Sequence, residues 1–117
     1  MGFIAVRHVV ATIPINTALS DAVDLRGGDL IRINMPALWT AAGLSFLVDD
    51  GDGTFRDLWM EWGWELWFDA AADISIELSV FARFQALTQF KVRSGTSGAP
   101  VNQTAEREIL LAVGVKS

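Results

Sequence analysis

The stretch 39–68 reads WTAAGLSFLVDDGDGTFRDLWMEWGWELWF. Two apolar runs flank Asp49-Asp50-Gly51-Asp52-Gly53, and a second turn falls at Trp62-Gly63. Asp-Gly between β-prone runs is the strongest short-range hairpin signal, because the favoured two-residue turns need positive φ. The stretch therefore predicts three consecutive antiparallel strands, roughly at 43–49, 54–60 and 64–69. In the first of them Leu44, Phe46 and Val48 share a face. All five tryptophans of the chain lie in this stretch, at 39, 59, 62, 64 and 67.

Outward from this centre the chain continues in short β-prone segments. Residues 3–13 (FIAVRHVVATI) are rich in β-branched side chains and predict a first strand, ended by Pro14. Residues 21–25 predict a short strand, Arg26-Gly27-Gly28-Asp29 a tight turn, and 30–34 (LIRIN) a cleanly alternating strand stopped by Pro36. On the other side, 74–80 (ISIELSV) alternates with Ile74, Ile76, Leu78 and Val80 on one face, and 81–84 forms a corner. A strand at 87–93 (LTQFKVR) puts Leu87, Gln89, Lys91 and Arg93 on one side and Thr88, Phe90 and Val92 on the other, and a Gly- and Ser-rich loop spans 94–102. The last strand, 105–115, turns Ile109, Leu111, Val113 and Val115 to the core. About eight short strands, no long helix and turn signals about every 8–12 residues predict an all-β fold, a two-sheet β-sandwich. Long connections at 14–20, 34–43 and 94–104 suit crossovers between sheets, as in a jelly roll. A chain of 117 residues without internal repeats reads as one domain, 1–117.

Composition narrows the functional classes. Half of the residues are hydrophobic (51%) and only 20% are charged, so the chain can fill a core and has surface to cover. The net charge of −5 argues against a partner that offers a phosphate backbone, so no nucleic acid is expected. The arginines, at 7, 26, 32, 56, 83, 93 and 107, are dispersed and form no basic run. The chain has no cysteine, which removes disulfide and thiolate chemistry. No apolar run approaches the ~20 residues of a spanning helix, so no membrane partner is expected. The N-terminus lacks the charged start and apolar core of a signal peptide, which predicts an intracellular origin.

No residue pattern names a reaction, and no catalytic residue, cofactor or metal site is assigned. His8 is the one histidine, mid-strand beside Arg7, where a structural role outweighs that of a positioned base. From Asp50, a calcium-loop alignment brings Asp52 and Glu61 to ligand positions, but Phe55 stands where such a loop needs glycine. The simpler reading is a turn whose Asp49, Asp50 and Asp52 side chains cap their own backbone. Glu61 and Glu65 straddle the second hairpin, and as opposed like charges they are expected to face solvent or a partner. The tryptophans are the anomaly. With Leu58, Leu66 and Phe68 on the core side, alternation leaves at least one of Trp59 and Trp67 outside. Either a loop or the N-terminal strand covers it, or it anchors an interface, where Trp and Arg are enriched. The interface candidates are Trp59, Trp67, Trp62, Trp64 and Arg56.

Two stretches resemble a known group. Trp39-Thr40-Ala41-Ala42-Gly43-Leu44-Ser45-Phe46 with Asp50-Gly51-Asp52-Gly53-Thr54-Phe55-Arg56-Asp57-Leu58 is one. Val92-Arg93-Ser94-Gly95-Thr96-Ser97-Gly98-Ala99-Pro100-Val101-Asn102-Gln103, then Arg107 and an apolar strand, is the other. Both resemble small virion structural proteins of tailed bacteriophages. The resemblance implies a β-sandwich that decorates or cements the head, with the major capsid protein and copies of itself as partners, a trimer being favoured. It implies a location on the capsid surface of the virion, after assembly in the bacterial host cytoplasm. It also allows a ring protein of the neck or tail. The tryptophans at 59–67 depart from the group, where polar residues are the pattern. Asp-Gly-x-x-Phe and Ala82-Arg83-Phe84 resemble discoidin-type, galactose-binding-like jelly rolls, which implies a carbohydrate-binding module on the virion surface as the alternative.

Overall fold

The fold turns on one long bent strand. The computed structural model describes residues 2–78 and 84–116, excepting the side chains of Phe84 and Gln85. Val80 of the expected strand 74–80, and Ala82-Arg83 of the galactose-binding-like motif, lie outside the described residues. Eight strands are present among them: β1 (Phe3–Ile13), β2 (Val23–Asn34), β3 (Leu44–Asp49), β4 (Arg56–Asp57), β5 (Trp67–Phe68), β6 (Ser75–Glu77), β7 (Phe84–Ser94) and β8 (Arg107–Lys116). Every pairing is antiparallel, and the described residues contain no helix. The expected all-β class holds.

β2 corrects the expected strand–turn–strand at 21–34. The paired glycines do not reverse the chain; they bend one continuous strand of 12 residues. Arg26 and Gly27 take positive φ, 52° and 74°, and Asp24 Oδ1 accepts the Arg26 N–H at 2.7 Å, which holds the bulge. Gly28 is required for close approach. A Cβ there would lie 2.5 Å from Val113 Cγ1 and 3.0 Å from the Gly114 carbonyl oxygen. The bend gives β2 two sets of partners. Val23, Asp24, Gly28 and Leu30 pair with Phe90, Gln89, Leu87 and Phe84 of β7, while 29–34 pair with β8 and Arg32, Ile33 and Asn34 also with β6.

Through β2 the ladders β1–β8–β2–β6 and β2–β7–β3–β4 meet, the second of them crossing the bulge, in a jelly-roll-like order. The hydrogen bonds therefore run through all eight strands as one sheet. Leu25, Leu30, Ile33, Leu44, Phe46, Phe90, Val92, Ile109, Leu111 and Val113, from both arms, join one buried cluster. Burial of each such side chain contributes roughly 1.5–3 kcal/mol. Phe46 stacks on Phe90 at 5.3 Å and meets Phe68 edge-on at 5.8 Å. β1 enters the core through its second half: Ala11 and Ile13 are buried and Val9 packs against the cluster, while Ile4, Val6 and Val10 are exposed. The 14–20 connection is not free. It runs along β7, with Ser20 N–H donating to the Val92 carbonyl and Ser94 N–H to that of Ala18.

Candidate functional site: the tryptophan hairpin

β3 has one edge on β7, and β4 and β5 share the other. Val48 and Leu47 pair with Arg56 and Asp57; Ser45 and Leu44 pair with Trp67 and Phe68. Because β5 takes the second half of that edge, the chain after β4 cannot continue along β3. It leaves as an arm, residues 58–66, and returns. This shortens the expected strands 54–60 and 64–69 to two residues each on the β3 ladder. The arm has its own bonds. Leu66 N–H donates to the Leu58 carbonyl at 2.9 Å and Met60 N–H to that of Trp64 at 2.8 Å. Gly63, with φ 103°, closes the turn through its N–H to the Met60 carbonyl at 3.0 Å.

Leu58, Leu66 and Phe68 pack against the core, as alternation requires. Trp59, Trp62, Trp64 and Trp67 are exposed, at 56%, 65%, 61% and 51%. At least one outward indole is expected from alternation; the arm carries three, and β5 at its base adds Trp67. Trp59 is bridged to Glu65, so those two side chains share a side, and alternation places Trp67 with them and Trp64 opposite. Trp62 sits in the turn, its ring 6.4 Å from that of Trp64 and tilted by 48°. Trp39 differs from these four. It packs against the core, and its Nε1 donates to the Ala42 carbonyl at 3.0 Å.

Arg93 of β7 fixes the base of the arm. Its Nη2 meets Glu65 Oε2 at 2.6 Å, its Nη1 meets Asp57 Oδ1 at 2.8 Å, and its Nε donates to Ser45 Oγ at 2.9 Å. Ser45 Oγ in turn donates to the Gly95 carbonyl at 2.7 Å. The Glu65 carboxylate also accepts from the Ser97 N–H and hydroxyl. Three strands, the arm and the 95–100 loop are thus joined through one guanidinium. This corrects the expectation for the acidic pair: Glu61 is exposed, but Glu65 lies against Arg93 with only 11% of its side chain open. Sequence reading placed Arg93 on one side of its strand; its partners, 28 and 36 residues away in the chain, gave no local signal.

Arg56, the remaining interface candidate, stands apart from the indoles. It is exposed and pairs with Asp52 at 2.9 Å. Hydrogen bonding from Arg56, then from the Thr54 N–H, holds the Asp52 carboxyl below its usual value, and Asp52 raises Arg56. Asp49 Oδ1 accepts from Gly51 N–H at 2.8 Å and Gly53 N–H at 3.1 Å, the backbone-capping turn expected there. No group of three or more His, Cys, Asp or Glu among the described residues is placed to hold a metal ion. His8 is exposed on β1.

The arm can supply apolar, aromatic contact surface held in a fixed pose. Compared with family models, curated proteins and solved structures, the chain matches none.

Proposed function

We propose that this protein is a bacteriophage virion structural protein that decorates the head, binding the capsid lattice and copies of itself through the tryptophan hairpin. The single observation that supports this reading is the exposure of four indoles on the arm and on β5 at its base. Large exposed aromatic surface is a liability for a protein that works alone, and Trp is the residue type most often found as an interface anchor. The anchoring by Arg93 favours the same reading, because a preformed arm loses less conformational entropy on docking. The motif resemblance supplies the partner class. The test is co-sedimentation of the purified protein with empty heads of the phage that encodes it, alongside sedimentation of the protein alone. Saturable binding to heads, with self-association at raised concentration, is the expected result. A plain monomer that leaves heads bare overturns the proposal.

A further inference from the structure

Arg107 opens β8 and is 8% exposed, yet no carboxylate among the described residues forms an ion pair with it. Arg93, the other well-buried arginine side chain among the described residues, has two carboxylates within 3.0 Å. Glu106 and Glu108, the chain neighbours of Arg107, are exposed, and alternation turns Glu108 to the opposite face. A guanidinium withdrawn from water without a counter-charge is costly unless its donors are met.

The neutral compensation is partial. Arg107 Nε donates to Gln103 Oε1 at 3.1 Å, and Nη2 reaches Thr40 Oγ1 at 3.3 Å and Thr104 Oγ1 at 3.4 Å. The last two are long for a charged donor. Gln103 has nothing more to offer. It is fully buried, its Oε1 also accepts the Thr40 N–H, and its Nε2 donates to the Thr40 carbonyl and to Ser94 Oγ. Nη1 has no acceptor among the described residues. The fork formed by Nε and Nη2 is therefore occupied, and the end formed by Nη1 and Nη2 is the one left for a ligand. The hydroxyls of Thr40 and Thr104, 3.2 Å apart, lie beside it, and Thr104 is exposed.

We propose that Arg107, with the hydroxyls of Thr40 and Thr104, is a binding site for a carboxylate. A planar carboxylate accepts two parallel N–H bonds from the free end of the guanidinium and bonds from the rotatable hydroxyls, which matches this donor set. The site lies among the loops 36–43 and 95–106. It does not depend on the tryptophan arm and stands whether or not that arm binds a capsid.

The test follows the Arg107 side-chain Nε–H resonance by NMR while sodium acetate is added at constant ionic strength made up with chloride. The expected result is a saturable shift in the millimolar range that chloride alone does not produce. Thr104→Val removes an exposed hydroxyl without emptying the core, and should weaken the acetate response several-fold. A blocked glutamate peptide carries the same group. Binding it at least as tightly as acetate indicates a partner's side chain as the source, and weaker binding indicates a small molecule; either result supports the site. No saturable response to acetate, an equal response to chloride, a response to inorganic phosphate alone, or an unchanged response in Thr104→Val overturns the proposal. Arg107→Gln tests it further if the variant folds, and the wild-type titration decides it if the variant does not.

Discussion

Arg93 Nη2 lies 2.6 Å from Glu65 Oε2, with only 11% of either side chain open to solvent. Removing one partner of a buried pair strands the other charge, which typically costs about 3–5 kcal/mol. Here Asp57, the second partner, is 36% open, so part of the stranded charge regains water. Arg93→Ala should therefore destabilise the protein by about 2–3 kcal/mol in urea unfolding. Arg93→Lys keeps the charge but not the three-way fork, and should recover only part of the loss. Amide exchange at Met60 and Leu66, which close the arm, should rise more than exchange at Val113 in β8. Equal exchange at all three amides would show that the pair does not hold the arm.

Gly28→Ala should destabilise by about 1–3 kcal/mol, because the added Cβ meets a buried valine and two backbone carbonyls. Val113 is stiff about χ1 and has no room to turn away. Gly98→Ala is the control. Its Cβ meets nothing within 4 Å, and the change should stay within about 0.5 kcal/mol. Similar urea midpoints for the two variants would refute this account of β2.

The same glycine shows where sequence reading stopped. Gly27-Gly28 was legible as a place of positive φ, and the alternation of LIRIN as a strand, but both a turn and a bulge meet those terms. What decides between them is β8, far along the chain, whose Val113 and Gly114 lie against Gly28. The tryptophan arm was legible for a local reason. Asp-Gly and Trp-Gly fix two turns, and period-two alternation then sorts Leu58 and Leu66 from Trp59 and Trp67. How far the arm leaves the sheet was not, since that depends on β5 taking the edge of β3. Gln103 and Arg107 gave no warning either: one lies in a connection whose composition reads as solvated loop, and the other at a strand end, where charge is ordinary.

Asp52 gives a prediction in pH. Its carboxyl is held below 3.8, first by the Arg56 hydrogen bond. A depressed folded-state value means that the stabilisation is present above the unfolded-state value and is lost as pH falls through the folded-state value. A carbon-detected NMR titration should find Asp52 titrating below the ordinary aspartate range. In Arg56→Ala it should move upward, and added salt should narrow the difference, because the pair is fully exposed. An Asp52 midpoint unchanged by Arg56→Ala would remove the ion pair from the account of this turn.

The tryptophan arm carries the functional prediction. Burying one indole removes roughly 200 Å² from water, on the order of 5 kcal/mol at ~25 cal/mol per Å² before the costs of association. Truncating an anchor of that kind typically costs about 2 kcal/mol or more, roughly thirtyfold in affinity. Trp59→Ala and Trp67→Ala should each weaken self-association or head binding by that factor. Both side chains are more than half exposed, so urea stability of the monomer should change by no more than about 0.5 kcal/mol. The separation of those two readouts matters. A variant that loses binding and stability together reports a collapsed arm, whereas loss of binding alone reports a contact surface. Arg93→Ala supplies the converse case, in which all four indoles remain and the scaffold beneath them is loosened; its binding loss should track amide exchange at Met60. Indoles also stack on sugar rings, so the same variants belong on a glycan array. A reproducible glycan signal abolished by Trp59→Ala or Trp67→Ala, with heads left unbound by wild type, would replace the capsid partner with a carbohydrate. Assembly of the double variant as tight as that of the parent would leave the arm with neither.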